Sequence, residues 1–465
     1  MGDTHPGDGC RRAVSRRSLL RGGLGALALS GLPALSACAA HDDGRSSRPS
    51  AAPPTGALRP LTVDLARENV PISRVDVAPV VAGMSRVGAG LYREAATVSA
   101  NWTISPLSID VAFAMLRAGA RGGTAKQIDR VFGFPATAAP AGSPHAVLNA
   151  LTAQLTTDRP IPTAPTSPPP SRGQDTGQPP PPVVAIVNGL FVDRSFERQV
   201  QTAFLRVLAG QYGANPDLVS FTDPSAAAAI NAWVDRQTRG RITKLFDQLD
   251  PSTRLVLANA VYFKAAWQLP FTDRTTVGAF TTGRGHRVDA HLMHQTCGVG
   301  YAAGDGWQRV SLPYAGGDLV MRIVVPTRPA HDVATLSRAL AAAVHNGPPD
   351  PERLVDLTLP RWNAATDLGL VPELTRLGMP DAFGARADLS GIAPGLCVSD
   401  AVHRANITVD EKGTEAAAVT GIAVAASAMA GPEVAVRADR PFAWAVVHVP
   451  TGTPMFTGHV VDPTH

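Results

Sequence analysis

Cysteine is scarce in this chain, and its few positions exclude a fold held together by disulfides. Only Cys10, Cys38, Cys297 and Cys397 occur in 465 residues, and the first two fall in an N-terminal segment of leader-like composition. Small domains that depend on disulfides carry a far denser set of cysteines. The sequence leaves open whether Cys297 and Cys397 pair after export or remain two free buried thiols.

A marked excess of one charge is also missing once the N-terminus is set aside. The net charge is +4, and residues 1–38 contribute +3 of it through five arginines against two aspartates. The remaining +1 over residues 39–465 provides no basic field for a polyanion. We therefore expect no nucleic-acid partner.

Motifs of catalysis and of metal binding are lacking as well. The chain has no Gly-x-Ser-x-Gly elbow, no Ser-x-x-Lys pair and no glycine-rich phosphate loop. A hydrolase that uses Ser105 or Ser427 with His403 is therefore disfavoured. The histidines at 286, 291 and 294 match no common zinc spacing, and a strand would place the last two on opposite faces. We predict no enzymatic activity, no metal site and no cofactor.

Residues 1–38 are predicted to be a processing segment rather than part of the fold. Arg16 and Arg17 precede an apolar run, Leu24–Leu35, in a pattern similar to a twin-arginine export signal. That run is shorter than the roughly 20 residues of a membrane span. It ends in Leu-Ser-Ala-Cys, which matches a bacterial lipobox with Cys38 as the lipidated residue. We expect an exported protein anchored to the membrane at the cell surface through Cys38, or an extracellular one; the alternative is an ordinary secretory signal with a chance cysteine.

The rest of the chain is predicted to form one domain behind a tether. Residues 39–71 are predicted to be a flexible linker because they are rich in Ala, Ser, Pro and Gly towards their start. The domain is expected over 72–465. It is interrupted at 157–182 by a proline-rich insertion, which should be extended and solvated.

Local patterns predict both helices and strands within that domain. Apolar residues recur at helical spacing over 77–96, and Ser105 before Pro106 is typical of a helix N-cap. Residues 124–127 form a capping-box pattern that predicts the start of another helix. Residues 255–263 are almost entirely apolar, so they predict a buried central strand with Asn259 in its middle. The Asn259 amide must find hydrogen-bond partners there.

One segment near the C-terminus predicts a strand that lacks a sheet of its own. From Glu411 to Thr420 the residues are mostly small, and no proline occurs over 413–426. Alternate positions starting at Thr414 can face a core without burying a charge, whereas Glu415 and the bulkier Val419 fall on the other face.

Several phrases of this sequence, in their order along the chain, resemble the serpin family. The match covers about residues 77–463, apart from the proline-rich insertion. The matching segments are residues 101–134, 188–191, 230–242, 255–271, 388–392, 402–420, 438–442 and 455–458. The resemblance implies an α+β fold with a large mixed β-sheet, two smaller sheets, eight to nine helices and an exposed reactive-centre loop. It also implies a monomer.

The resemblance implies inhibition of serine proteases by a suicide-substrate mechanism. The protease attacks the loop and forms an acyl-enzyme, after which the cleaved loop inserts into the main sheet. A non-inhibitory member that acts as a binding or substrate protein is the alternative. The hinge implied by the family pattern comprises Glu411, Gly413, Thr414, Glu415, Ala416, Ala417, Ala418, Val419 and Thr420.

Family loop length places the reactive bond between Ser427 and Ala428, with Ala426 or Met429 as neighbouring alternatives. These small or uncharged residues favour elastase-like or subtilisin-like serine proteases, and a cysteine protease remains a further candidate target. The family pattern also assigns Ser105, Ser108, Asn259 and His403 to a polar cluster beneath the main sheet, which we call the shutter cluster. It places Trp267 where the loop first enters the sheet.

Overall fold

The computed structural model describes residues 58–135, 142–155, 182–238, 240–271, 274–414 and 431–464. Within these ranges the chain forms eight α-helices. They are Ala78–Ala95 (α1), Pro106–Gly119 (α2), Gly122–Phe132 (α3), Pro144–Leu155 (α4), Thr202–Val207 (α5), Ala226–Gln237 (α6), Val333–Val344 (α7) and Leu370–Arg376 (α8). None of them has the length and apolar character that a membrane crossing requires.

The strands of the same ranges are numbered along the chain. The first eight are Arg59–Pro60 (β1), Trp102–Ile104 (β2), Val183–Asp193 (β3), Asp217–Val219 (β4), Leu255–Ala266 (β5), Thr276–Thr281 (β6), Arg287–Gly304 (β7) and Trp307–Pro313 (β8). The others are Leu319–Pro326 (β9), Glu352–Pro360 (β10), Trp362–Gly369 (β11), Asp400–Asp410 (β12), Gly413–Thr414 (β13), Val434–Arg437 (β14), Phe442–His448 (β15) and Thr453–Val460 (β16).

A mixed seven-stranded sheet, the main sheet, carries the region of interest. Its strand order is β1-β4-β3-β5-β13-β12-β11. β5 pairs antiparallel with β3 and parallel with β12. The predicted central strand is confirmed as β5, in which every residue but Lys264 is buried. Strands covered on both faces are continuously apolar, as this one is.

The remaining strands form a nine-stranded sheet, because one long strand joins what would otherwise be two smaller sheets. The first part of β7 pairs with β6 and β10, whereas its last residues pair with β8. α2 lies between the two sheets and contacts β3, β5 and β16. Almost all of α2 is buried, so its side chains form the floor beneath the main sheet. The predicted α+β architecture with a large mixed sheet is confirmed.

One local expectation was wrong. α3 begins at Gly122, and its N-cap is Arg121 without a side-chain hydrogen bond, so the capping box at 124–127 does not form. The Thr124 hydroxyl instead accepts a hydrogen bond from the Asp388 amide at 2.9 Å.

The boundary between tether and domain lies earlier than residue 72. β1 adds to the edge of the main sheet by pairing with β4, and Leu61 and Val63 pack against the core. The Arg67 guanidinium donates to the Asn149 carbonyl oxygen at 3.0 Å and to the Thr152 hydroxyl at 2.7 Å. Residues 58–71 therefore belong to the folded domain rather than to a flexible linker.

Several predicted features lie outside the described residues, and their assignments stay predictions. They are the leader with Cys38, the tether up to residue 57, the insertion except for Pro182, the hinge from Glu415 to Thr420, and the candidate reactive bond at Ser427 and Ala428 with its alternatives Ala426 and Met429. Cys297 is a free, buried cysteine, so it does not pair with Cys397.

The contacts of Arg67 give a first prediction about stability. Replacing Arg67 by alanine removes a charged donor from buried oxygens of α4, which costs about 1–3 kcal/mol, and we expect a lower midpoint in urea unfolding. The matched control is Arg74→Ala, because Arg74 is exposed and its side chain has no hydrogen bond among the described residues. Equal midpoints for the two variants would contradict a structural role for residues 58–71.

Candidate functional site

β5 and β12 are paired along only part of their length. Their parallel pairing covers Val256–Val261 of β5 and Asp400–Ala405 of β12. Beyond it, the described residues contain no pairing between 262–264 of β5 and 406–408 of β12. We call this stretch the open slot. It lies next to residues 413–414, which occupy the space between the two strands at their far ends.

β13 places the first hinge residues inside the main sheet. Gly413 pairs with Ala266 of β5 and Asp410 of β12, and Thr414 pairs with Ala265 and Val409. Both pairings are antiparallel, so the chain leaves β12 in a tight reversal at residues 411–412 and returns between the strands. The sequence-predicted hinge thus begins within a sheet rather than outside it.

The reversal requires glycine at position 413. Gly413 has φ = +147°, and a Cβ atom there would lie 2.1 Å from the Ala265 carbonyl oxygen. Only glycine adopts such a backbone conformation without strain. The Asp410 carboxylate accepts hydrogen bonds from the amides of Lys412 and Gly413 at 2.8 and 3.2 Å, which fixes the turn.

Glu411 anchors the outer side of this turn. Its carboxylate accepts hydrogen bonds from Arg361 Nε at 2.7 and 2.9 Å and from the Thr275 hydroxyl. Burial would raise the pKa of Glu411, but the hydrogen bonds from Arg361 and Thr275 outweigh it and lower the pKa below its ordinary value. A charged Glu411 is therefore the form that this arrangement favours.

Trp267 contacts the reversal from β5's end of the sheet. Its indole Nε1 donates to the carbonyl oxygen of Asp410 at 2.9 Å. Its backbone amide donates to the carbonyl oxygen of Lys412 at 3.0 Å. The indole stacks on Tyr314 with ring centroids 4.5 Å apart. The Tyr314 hydroxyl lies 2.6 Å from the hydroxyl of the fully buried Thr414. Trp267 and Tyr314 together hold the first inserted residues.

The four residues of the shutter cluster lie together at the paired end of β5 and β12. Asn259 and His403 are register partners on the two strands, and both are buried. Ser105 and Ser108 occupy the start of α2 directly beneath them. Asn188 of β3 is the register partner of Asn259 on its other side, so polar side chains cross three neighbouring strands.

Every polar group of this cluster has a partner, which fixes the protonation of His403. The Ser105 amide donates to His403 Nε2 at 3.1 Å, so the ring proton lies on Nδ1 and is donated to the Asn259 side-chain oxygen. The Asn259 amide nitrogen donates to the Ser108 hydroxyl at 2.6 Å and to the Asn188 side-chain oxygen. Burial lowers the pKa of His403 to about 3. His403 is neutral and serves as a hydrogen-bonding link rather than a proton donor in catalysis.

Sequence reasoning missed three residues of this region. Asn188 could have been found, because it is a polar residue inside an otherwise apolar strand. The structure shows that it is the register partner of Asn259. Tyr314 and Arg361 gave no such signal, because their contacts join segments that are distant along the chain. Across the described ranges, no group of three or more His, Cys, Asp or Glu residues is placed to hold a metal ion.

The neutral state of His403 predicts a dependence of stability on pH. Its folded pKa of about 3 lies below the ordinary 6.5, so between these values the unfolded chain binds a proton that the folded chain does not. Stability from this group is complete above pH 6.5 and is lost as the pH falls towards 3. Burial lowers the pKa of His145 and His459 to about 4, which acts in the same direction.

We expect the urea midpoint of the wild-type protein to fall between pH 6.5 and 5. The variant His403→Gln starts from a lower midpoint at pH 8, because Asn259 and Ser105 lose partners, but its midpoint falls less steeply on acidification. The exposed His345→Gln serves as the control and should retain the wild-type slope. Parallel pH profiles for wild type and His403→Gln would refute the assignment.

Comparisons with known proteins agree with this geometry. The model of the family described as "Serpin (serine protease inhibitor)" matches residues 82–463. The leukocyte elastase inhibitor of Sus scrofa is 33% identical over 381 residues, covering 78% of this chain and 93% of the relative. A serpin-like protein of Thermococcus kodakarensis is 32% identical over 391 residues, covering 83% of this chain and 86% of the relative.

Among solved structures, the native state of the thermophilic serpin tengpin superimposes with a TM-score of 0.70 at 23% identity. The alignment covers 87% of this chain and all of tengpin, and at this identity it supports the fold alone. The family match over most of the chain and the two relatives above 30% identity carry the assignment further. The chain belongs to the serpin family.

Proposed function

We propose that this protein inhibits serine proteases as a suicide substrate. The observation that carries the proposal is the position of Gly413 and Thr414, which already lie between β5 and β12 at the mouth of the open slot. A cleaved loop that continues from Thr414 would extend this short strand into the main sheet. The first two hinge residues thus already occupy the position from which the rest of the loop would insert.

The chemistry begins as ordinary proteolysis. The protease serine oxygen attacks the carbonyl carbon of residue 427, and the amine of residue 428 leaves after it takes up a proton. The loop is then covalently bound to the protease at one end and to β13 at the other. Insertion before hydrolysis of the ester would carry the protease along the sheet and distort its active site.

The observed register predicts where each inserted residue would lie. Thr414 is opposite Ala265 in an antiparallel pair, so residues 415–417 would pair with 264–262 of β5 in the open slot. These steps break no bond between β5 and β12 and give new backbone partners to both strands. Continuing the count places Thr420 opposite both Asn259 and His403. Residue 420 would therefore enter the shutter cluster and replace the direct hydrogen bond between Asn259 and His403.

The chemistry of the hinge supports this path. Side chains on the Thr414 face enter a buried environment, and the sequence puts only threonine, alanine and isoleucine at 414, 416, 418, 420 and 422. Glu415 falls on the opposite face. A charge on the buried face would be desolvated without a partner, which costs several kcal/mol.

The target class follows from the loop and from the relatives. Small or uncharged residues at 426–429 suit proteases with shallow apolar specificity pockets, as in elastase-like and subtilisin-like enzymes. The similarity to a leukocyte elastase inhibitor supports the same class. Export and anchoring through Cys38 would present the inhibitor at the cell surface, which agrees with an extracellular target.

The central prediction is a covalent complex with an elastase-like or subtilisin-like protease. Incubation at equal concentrations should give a band that survives SDS, with the mass of the protease plus the N-terminal inhibitor fragment. Mass spectrometry of the released C-terminal peptide should place its first residue at 428. Cleavage by several such proteases with full recovery of their activity would favour a non-inhibitory role instead.

A second prediction tests the insertion register. Thr414→Arg places a charge against Tyr314 in a buried site, so insertion stalls and the protein becomes a substrate. We expect about tenfold or more inhibitor to be consumed per protease inactivated, because an insertion barrier raised by about 1.4 kcal/mol or more slows insertion at least about tenfold relative to deacylation. The control Thr222→Arg changes an exposed threonine far from the slot and should inhibit normally. Normal inhibition by Thr414→Arg would exclude this register.

A further inference from the structure

A cavity of about 440 Å³ opens beside the main sheet, on the side away from the slot. Strands β3 and β4, helices α2 and α6 and the N-terminal segment of residues 58–71 all contribute to its walls. Its lining includes Pro60, Val111, Met115, Asn188, Asp217 and Trp233. The cavity is of a size typical for small-molecule sites.

Asp217 is the unusual member of this wall. It is only 8% exposed, and no hydrogen bond or ion pair with another described residue reaches its carboxylate. Burial raises its pKa to about 6, and the charge of Arg236 on α6 only partly opposes that effect. Its oxygens are not among the fully enclosed polar atoms, so they are open to the cavity, where a ligand with donor groups can form charge-assisted hydrogen bonds in a partly desolvated site.

The surroundings of Asp217 indicate the character of that ligand. Val111, Met115 and Trp233 offer apolar surface within the same cavity. The one cation among the lining residues, Arg67, is held against α4 by its bonds to Asn149 and Thr152. We propose that the cavity binds a small organic cation, an ammonium group paired with Asp217 and carried on an apolar or aromatic body.

The cavity is connected to the shutter cluster through Asn188. This residue lines the cavity, and its side-chain oxygen accepts a hydrogen bond from Asn259. Insertion between β5 and β12 requires β5, with β3 and β4 attached, to move away from β12 across α2. The cavity is bounded by both β3 and α2, so its shape must change in that movement. A ligand that fits the closed sheet therefore opposes insertion, a consequence that rests on the proposed inhibitory function.

Binding is tested directly by titration calorimetry on the full chain with tryptamine as the probe. Its neutral analogue tryptophol has the same indole body with a hydroxyl in place of the ammonium group. We expect tryptamine to bind with a Kd below about 1 mM and tryptophol at least about tenfold more weakly. Phenethylamine and phenethyl alcohol provide a second matched pair with a smaller body.

The variant Asp217→Asn removes the charge while it keeps the shape of the side chain. It should lower tryptamine affinity at least about tenfold and abolish the preference for amine over alcohol. Asp64→Asn makes the same change of charge on an exposed residue of the N-terminal segment and should bind like wild type. Absence of tryptamine binding, equal binding of amine and alcohol, or unchanged affinity in Asp217→Asn would each overturn the site. Circular dichroism of Asp217→Asn confirms that any loss of affinity is measured on folded protein.

A second measurement separates the site from the proposed function. Saturating tryptamine should lower the fraction of wild-type inhibitor that forms covalent complex with elastase, and it should have no such effect on Asp217→Asn. If no complex forms even without tryptamine, the inhibitory function fails while the calorimetric result for the cavity stands. If complex forms and tryptamine binds without changing its yield, the coupling through Asn188 is refuted.

Discussion

The main sheet depends on one constraint: β5 and β12 bond to each other at one end and are held apart at the other. At the far end, the space between them is occupied by two hinge residues whose turn is fixed by Asp410 and Gly413. Between the ends, three residues on each strand have no partner across the gap among the described residues. Backbone groups in a sheet gain free energy when they are paired, so the sheet as described is not the arrangement with the most hydrogen bonds. In the proposed mechanism, the difference in free energy between these two arrangements drives insertion of the loop.

In the proposed mechanism, the shutter cluster sets how far the loop can insert before buried hydrogen bonds are lost. Its polar side chains are buried and fully bonded, so each one that loses its partner adds about 1–3 kcal/mol to the barrier. The direct link between Asn259 and His403 is specific to the closed sheet, because these residues are register partners only while β5 and β12 are adjacent. A network of this kind selects one arrangement over its alternatives, so it contributes to the equilibrium stability of the closed sheet and also to the barrier that opening must cross. A neutral His403 fits that role, since a charged ring would lose its acceptor nitrogen and its bond from Ser105.

How much was predictable from sequence differs between these features. Asn259 and His403 could be identified because they are polar residues within apolar strands, and helix α2 could be placed because Ser105 and Pro106 mark its start. The partial insertion of residues 413–414 could not be predicted, since it depends on a pairing between segments about 150 residues apart.

The packing of residues 58–71 was missed for the same reason. Their composition is close to that of a linker, and it is the contact of Arg67 with the distant helix α4 that orders them. The capping box at Thr124 failed because glycine at 122 allows the helix to begin earlier, and the threonine serves another segment.

If the protein inhibits as proposed, the position of the hinge also affects the balance between inhibition and stability. An extra residue inserted before cleavage would bring the sheet closer to its fully paired state and shorten the path that remains after cleavage. It would also draw the exposed part of the loop towards the body, where a protease has less access to it. The ion pair between Glu411 and Arg361 and the hydrogen bond between Thr414 and Tyr314 hold the reversal at one position. Both contacts involve residues before the first position of the open slot, so they fix where insertion starts without blocking its continuation. The proposed insertion would therefore leave the interactions that hold the hinge intact, and it would meet its resistance further along, where β5 and β12 are joined.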